Sequence, residues 1–305
     1  MRQLIIIVAC FAFIACEEAP LFSGTYDGAL NAPSSFSIFP GTDLALISNT
    51  NISLQESSGS ILVYDMNAQM LLEDTRFFTT NFGAHPLIDE GRERILIPDL
   101  DKYLRFYSYS IPGQGGAAIS FAQEVISPAI SNTLTNAIEL DDIPSDIKLI
   151  DTQNHGELYV VVSQLGTITV IDADTLTVMD LNEKDRYEGL RLTSALTIGQ
   201  SKGFPAKGVN RLFHDPDSNL LFATSGSSNF VYIFDPEHLE NEGVLSFLSI
   251  SGTTTGIRAI AIDSNQQAYI AHAGLESLLV VDFSSIVDNG ISFEVIEPSI
   301  IKMIP

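Results

Sequence analysis

Beyond residue 35 the chain alternates short apolar runs with clusters of Asp, Asn, Gly, Ser and Pro, and the runs recur in a fixed order. The clearest is an apolar strand closed by an acid: Val63-Tyr64-Asp65, Val170-Ile171-Asp172, Ile233-Phe234-Asp235 and Val280-Val281-Asp282. Phe106-Tyr107-Ser108 is a further copy with Ser in place of the acid. A second apolar run precedes each one: Leu44 to Ile47, Ile95 to Ile97, Leu158 to Val162, Leu220 to Ala223 and Ala268 to Ala271. A turn cluster precedes those in turn, as in Asn154-His155-Gly156 and Asp263-Ser264-Asn265. Several units add another segment in front, such as Ile147 to Ile150, or behind, such as Val244 to Ile250 and Phe293 to Ile296.

Runs of about five residues without helical periodicity are strands. Three or four of them in a unit recurring roughly every 45–60 residues predict the blades of an all-β propeller with short antiparallel sheets. One blade cannot cover both of its faces, so the blades stack into a single domain, expected over 35–305. Five units are visible. Gly113 to Ile143 and Lys184 to Lys207 are long for connections and read as long loops, elongated outer strands or a degenerate extra blade. Pro298 to Pro305 reads as the first strand of another unit, which the mature N-terminus would complete. Six blades are therefore expected, with five and seven as alternatives; pairing the terminal segments would remove exposed edges. The unit from Leu158 through Thr167-Ile168-Thr169-Val170-Ile171-Asp172 to Thr175, and the looser Leu221 to Asp235, resemble the repeat of YVTN-type, WD40-like β-propellers. That resemblance implies a fold, and functions on it range from sensors and scaffolds to lactonases and quinoproteins.

The first residues differ from this pattern. Arg2 precedes an apolar run from Leu4 to Ala15, too short to span a bilayer and fitting the core of a secretion signal. It ends in Phe13-Ile14-Ala15-Cys16, which resembles the lipobox of bacterial lipoproteins, with Phe13 where Leu is usual. The resemblance implies cleavage after residue 15, lipid on Cys16 and a tether over 16–34. Ile7-Val8-Ala9-Cys10 matches by residue type but would leave too short an apolar core. Cys10 and Cys16 are the only 2 cysteines, so the mature chain can form no internal disulfide. The expected location is a bacterial membrane surface facing the periplasm or the exterior, held by the lipid alone.

The formal net charge of −23 argues against nucleic acid and anionic lipid heads as partners, because both select basic surfaces. It fits a soluble, solvated exterior. The acids Asp65, Asp172, Asp235 and Asp282 stand just before turns, where a carboxylate accepts backbone N–H bonds, so they are read as structural. Asp215, Asp217 and Asn219 alternate like a calcium loop but lack its Gly and terminal Glu. The histidines show no zinc spacing and no nucleophile elbow is present, so neither cofactor nor metal is expected.

Loops between second and third strands, with those joining blades, share one face. Mapping the units places His85, Asp99, Asp101, Lys102, Asp141, Gln164, Asn229, His272 and Glu276 there as ligand-face candidates. Two functions follow. The first is non-enzymatic binding or scaffolding of a protein partner at the cell envelope. The other is a hydrolase resembling the propeller lactonases, with Asp99, Asp101, Asp141, His85, His272 and Glu276 converging at the channel mouth.

Overall fold

The computed structural model describes residues 33–49, 59–79, 85–99, 102–111, 119–123, 136–179, 196–198, 206–246, 256–275, 277–284, 295–296 and 300–304. Residues 1–15, read from the sequence as a signal segment, and Cys16, Asp101 and Glu276 lie outside them. The described strands form five small sheets, antiparallel except for one short parallel pairing in blade 4, arranged as a five-blade β-propeller with almost no helix. Blade 1 holds β1 (Pro33–Ile38), β2 (Leu44–Asn49), β3 (Gly59–Asp65) and β4 (Met70–Thr79). Blade 2 holds β5 (Leu87–Asp89), β6 (Arg94–Pro98), β7 (Tyr103–Ser110), β8 (Ser120–Gln123) and β9 (Ala137–Glu139). Blade 3 holds β10 (Pro144–Thr152), β11 (Gly156–Ser163), β12 (Thr167–Asp172), β13 (Val178–Met179) and β14 (Leu196–Thr197). Blade 4 holds β15 (Val209–Asp215), β16 (Leu220–Ser225), β17 (Phe230–Asp235), β18 (His238–Ser246) and β22 (Val295–Ile296). Blade 5 holds β19 (Ile257–Ile262), β20 (Gln267–His272), β21 (Leu278–Asp282) and β23 (Ile300–Ile304).

The five visible units are thus the five blades, where six were expected. The C-terminal strand does not open a sixth: β23 pairs with β21 and becomes the outer strand of blade 5. Without it the hydrogen-bonding groups on that side of β21 would lack a sheet partner. The expected outer strand at Phe293 to Ile296 contributes only β22, which pairs in parallel with β18 of blade 4. The two long stretches likewise supply additional strands to existing sheets, β9 beside β7 and β14 beside β12.

Alternation along each middle strand sends side chains to both faces of its sheet, and each face meets a neighbouring blade. In blade 4, Leu221, Ala223, Tyr232 and Phe234 pack on blade 3 around Val160, Val162 and Val170. Their sequence neighbours Leu220, Phe222, Val231 and Ile233 pack on blade 5 around Ile270, Leu279 and Phe283. Equivalent clusters join blades 2 and 3 through Phe106, Tyr159 and Ile171, and blades 1 and 2 through Leu46, Ile61 and Ile95. The side on which blades 5 and 1 would meet is less covered. Phe36 of β1 is 63% exposed, whereas its register equivalents Ile147 and Leu212 are 1% and 4% exposed. On blade 5, Ala261 is exposed where blade 4 places the half-buried Phe213.

A polar clasp reinforces the join between blades 2 and 3. The Tyr159 hydroxyl donates to buried Asp89 and accepts from Arg94 Nη1 at 3.0 Å, which also reaches the Ala173 carbonyl at 2.8 Å. Arg92 pairs with Asp89 at 3.2 Å and Glu157 at 2.8 Å, and with Asp174. Burial first, then the hydrogen bond to Asp89, pushes the Tyr159 phenol well above its ordinary value, so it stays a donor. Tyr159→Phe leaves the Asp89 carboxylate short of that donor in a dry site, and a loss of about 2–3 kcal/mol is expected. The urea midpoint would report it, with an unchanged far-ultraviolet spectrum.

Candidate functional site

The face carrying the connections from second to third strand is built on a common polar position. The second strand ends at Asn49, Ser163, Ser225 and His272 in blades 1, 3, 4 and 5, and in blade 2 Asp99 directly follows its last residue; all five are buried. Each closes an apolar run, so its side chain is carried to the rim and turned inward. Ser163 Oγ accepts the Thr167 N–H at 3.0 Å and meets the Thr167 hydroxyl at 2.6 Å. Ser225 donates to the Lys207 carbonyl in the preceding inter-blade loop, and Ser227 donates to the same oxygen at 2.6 Å. Asp99 accepts from Arg105 Nε at 2.8 Å. His272 Nδ1 accepts the Gly274 N–H at 3.0 Å, which leaves Nε2–H to donate to Asn229 Oδ1 of blade 4 at 2.9 Å. That pair is the neutral tautomer, and burial holds its pKa below the ordinary histidine value.

A run of backbone hydrogen bonds crosses blades 3 to 5 over these side chains. Gln164 N–H donates to the Ile143 carbonyl at 2.9 Å, and Gly208 N–H to the Gln164 carbonyl at 2.7 Å. Gly226 then donates to Gly208 at 2.9 Å, Gly256 to Gly226 at 3.2 Å, and Ala273 to Gly256 at 3.1 Å. Backbones approach so closely that a Cβ on Gly256 would overlap the Ser225 carbonyl and the Gly226 backbone. Gly208 also sits at φ +65, with a Cβ position 2.7 Å from Ser227 Oγ.

Of the sequence-derived candidates, Asp99, Asn229 and His272 lie in these internal contacts. Lys102 is exposed at φ 70 and reaches the Asp141 carbonyl at 3.4 Å. Gln164 and Asp141 are exposed on the rim. His85 stands apart, just before β5, with Nδ1 donating to the Pro86 carbonyl at 3.0 Å. Burial lowers its pKa most, with Arg211 and Lys148 adding to this and Asp146 opposing it. Sequence reasoning missed Ser163 and Ser225, although each shows the same signal as Asp99 and His272: a polar residue closing the second apolar run.

On the opposite face the strand-ending acids cap their turns. Asp65 Oδ1 accepts from Asn67 and Ala68, Asp172 from Asp174 and Thr175, Asp235 from Glu237, and Asp282 from Ser284. The Thr175 N–H holds Asp172 below the usual carboxylate range, as the Ser284 hydroxyl does Asp282. In the 215–219 turn, Asp215 accepts from the Ser218 N–H and hydroxyl, and Asn219 Oδ1 contacts His214 Nε2 at 3.2 Å. Among the described residues no group of His, Cys, Asp and Glu is arranged to hold a metal ion.

No protein-family model matches this sequence, and a search of curated proteins finds no match. Solved structures do match, and they are propeller-like proteins. One is a protein from Lactobacillus plantarum, with TM-score 0.59 and 14% identity over 91% of this chain and 73% of that one. Another is Sqt1 from Chaetomium thermophilum, with TM-score 0.57 and 13% identity over 91% of this chain and 63% of that one. The present chain therefore spans less than two thirds of the second, and the likeness is one of fold.

Gly256→Ala is expected to cost about 3 kcal/mol by forcing the rim backbones apart, read as a lowered urea midpoint. Stability should also depend on pH through His272. Its folded pKa lies below the unfolded value near 6.5, so below that pH the unfolded chain binds a proton that the folded chain refuses. Stability is full above about pH 6.5 and falls, by up to about 1.4 kcal/mol per pH unit, as pH descends toward the folded value. In His272→Gln the slope between about pH 7 and 5 should flatten, since the amide does not titrate.

Proposed function

We propose that this chain is an exported binding module without catalytic activity, tethered by lipid on Cys16 and presenting its loop face to a protein partner at the cell envelope. One observation carries this reading. The acid and the histidine best suited to chemistry on that face are engaged inside the protein, Asp99 with Arg105 and His272 with Asn229 and Gly274. They come from blades 2 and 5 and hold separate partners, whereas a lactonase-type site needs its acids and histidines directed at a shared substrate. What the face offers outward is a rigid rim of backbone with exposed Gln164, Lys102 and Asp141. Such a surface suits a partner recognised by shape and by polar contacts around its edge. No cofactor enters this reading, and the −23 charge still disfavours nucleic acid.

Two measurements test it in the producing cells. Metabolic labelling with an alkynyl fatty acid should mark the chain and be lost in Cys16→Ser; label retained in that variant would remove the anchor. A photocrosslinking residue at Gln164 should trap a reproducible neighbour that one at Asn67, on the opposite face, does not. Equal trapping at both positions, or none at Gln164, would contradict the binding face.

A further inference from the structure

The described Lys and Arg side chains fall into two groups. Arg92, Arg94 and Arg105 are held in the contacts given above, and Lys102 reaches the Asp141 carbonyl. Lys148, Lys207, Arg211 and Arg258 make no side-chain hydrogen bond or ion pair among the described residues. All of this second group lie on, or directly before, the first strands of blades 3 to 5.

Strand register shows why they gather. The first strands of blades 1, 3, 4 and 5 carry a bulge at the rim end, at Ser34, Ser145, Asn210 and Arg258. The residue after the bulge is Ser35, Asp146, Arg211 and Ala259; two positions on come Ser37, Lys148, Phe213 and Ala261. Counting back from the Asp89–Arg94 pair, which matches the Asp215–Leu220 pair of blade 4, puts His85 level with Asp146 and Arg211. First strands of neighbouring blades lie side by side around the axis, β10 with β5 and with β15, and β15 with β19. His85 of blade 2 accordingly feels Asp146 and Lys148 of blade 3 and Arg211 of blade 4.

A bland role for these cations would be to balance Asp146. Its oxygens, however, are already taken by the Ile147 N–H at 2.9 Å and the Leu212 N–H at 2.8 Å. One satisfied carboxylate against Lys148 and Arg211 leaves positive charge over, and His85 adds none while neutral. Nearer the rim, Arg258 lies over Gly226, its Nη1 2.9 Å from where a Cβ there would stand. In a protein of net charge −23, a cation group left without partners among the described residues is where an anion would be retained.

We propose that Lys148 and Arg211 bind a small ligand through its carboxylate or phosphate oxygens at the axis of the propeller, with Arg258 and Lys207 on its path from the rim. Arg211 supplies a planar fork that can hold two oxygens, and Lys148 a point charge beside it. The acidic exterior repels anions at long range, so the attraction is local and sensitive to salt. This site is independent of the anchor and of the protein partner proposed above, and either can fail without the other.

Isothermal titration of the full mature chain with inorganic phosphate and, separately, with citrate tests the site and tells the two oxygen chemistries apart. At least one probe should bind at one site per chain, more weakly as salt rises from about 20 to about 200 mM. Arg211→Gln and Lys148→Gln should each weaken it about tenfold or more. Melting curves check that each variant is folded, and if one is not, the other decides. Binding of neither probe by the unaltered chain, or undiminished binding in a folded variant, would overturn the proposal.

Discussion

Each blade is a sheet with apolar residues on both sides, and among the described residues the cover of its faces comes from the neighbouring blades. Val160 and Val161 are adjacent in sequence, yet Val160 enters the core shared with blade 4 and Val161 the core shared with blade 2. The same division recurs at Leu221 and Phe222. No sheet here holds a core of its own, so burial is a property of neighbours and stability is shared along the array. The exposed Phe36 on the side facing away from blade 2 is the corollary: where the described residues cover a face less, its apolar side chain meets solvent.

Polar groups follow from that arrangement. Where sheets press together, a polar side chain must find a partner across the join or cost the fold its desolvation. Tyr159 does so between Asp89 and Arg94, and Asp146 does so by capping the backbone of blade 4. At the rim, buried polar residues at the second-strand ends fasten the hairpins, as Ser163 does with Thr167 and Asp99 with Arg105, while Ser225 reaches the inter-blade loop at Lys207 and His272 reaches Asn229 of blade 4. The same residue types that suggest chemistry in a sequence are here used as fasteners. The cations around the axis are the exception.

Much of the fold is legible in the chain because it is local. Second and third strands pair through short turns, and the alternation of Leu158 to Val162 with Thr167 to Asp172 gives both strands and the turn between them. Outer strands are not legible in that way. β23 reaches blade 5 from beyond residue 299, and β22 crosses to blade 4, so no neighbouring pattern identifies their sheets. This is why the last segment reads as a new blade. The rim is legible in position and not in role: Asp99 and His272 are found as polar residues at strand ends, but their burial depends on neighbouring chain segments. Lys148 and Arg211 are invisible singly, each a charge on a mixed first strand, and only the stacking of blades sets β10 beside β15 and so brings the two near each other.

Interdependence of the blades is the claim on which all of this stands, and the absence of Trp from the chain makes it measurable. A single Trp in place of Tyr109 reports the core between blades 1 and 2, and one in place of Phe213 reports the edge of the core between blades 4 and 5. Followed through urea unfolding in separate variants and referred to circular dichroism of the same samples, each reporter should change together with the whole fold. A reporter that melts apart from the circular-dichroism transition would mean that the blades at that end stand alone, and would contradict the shared core.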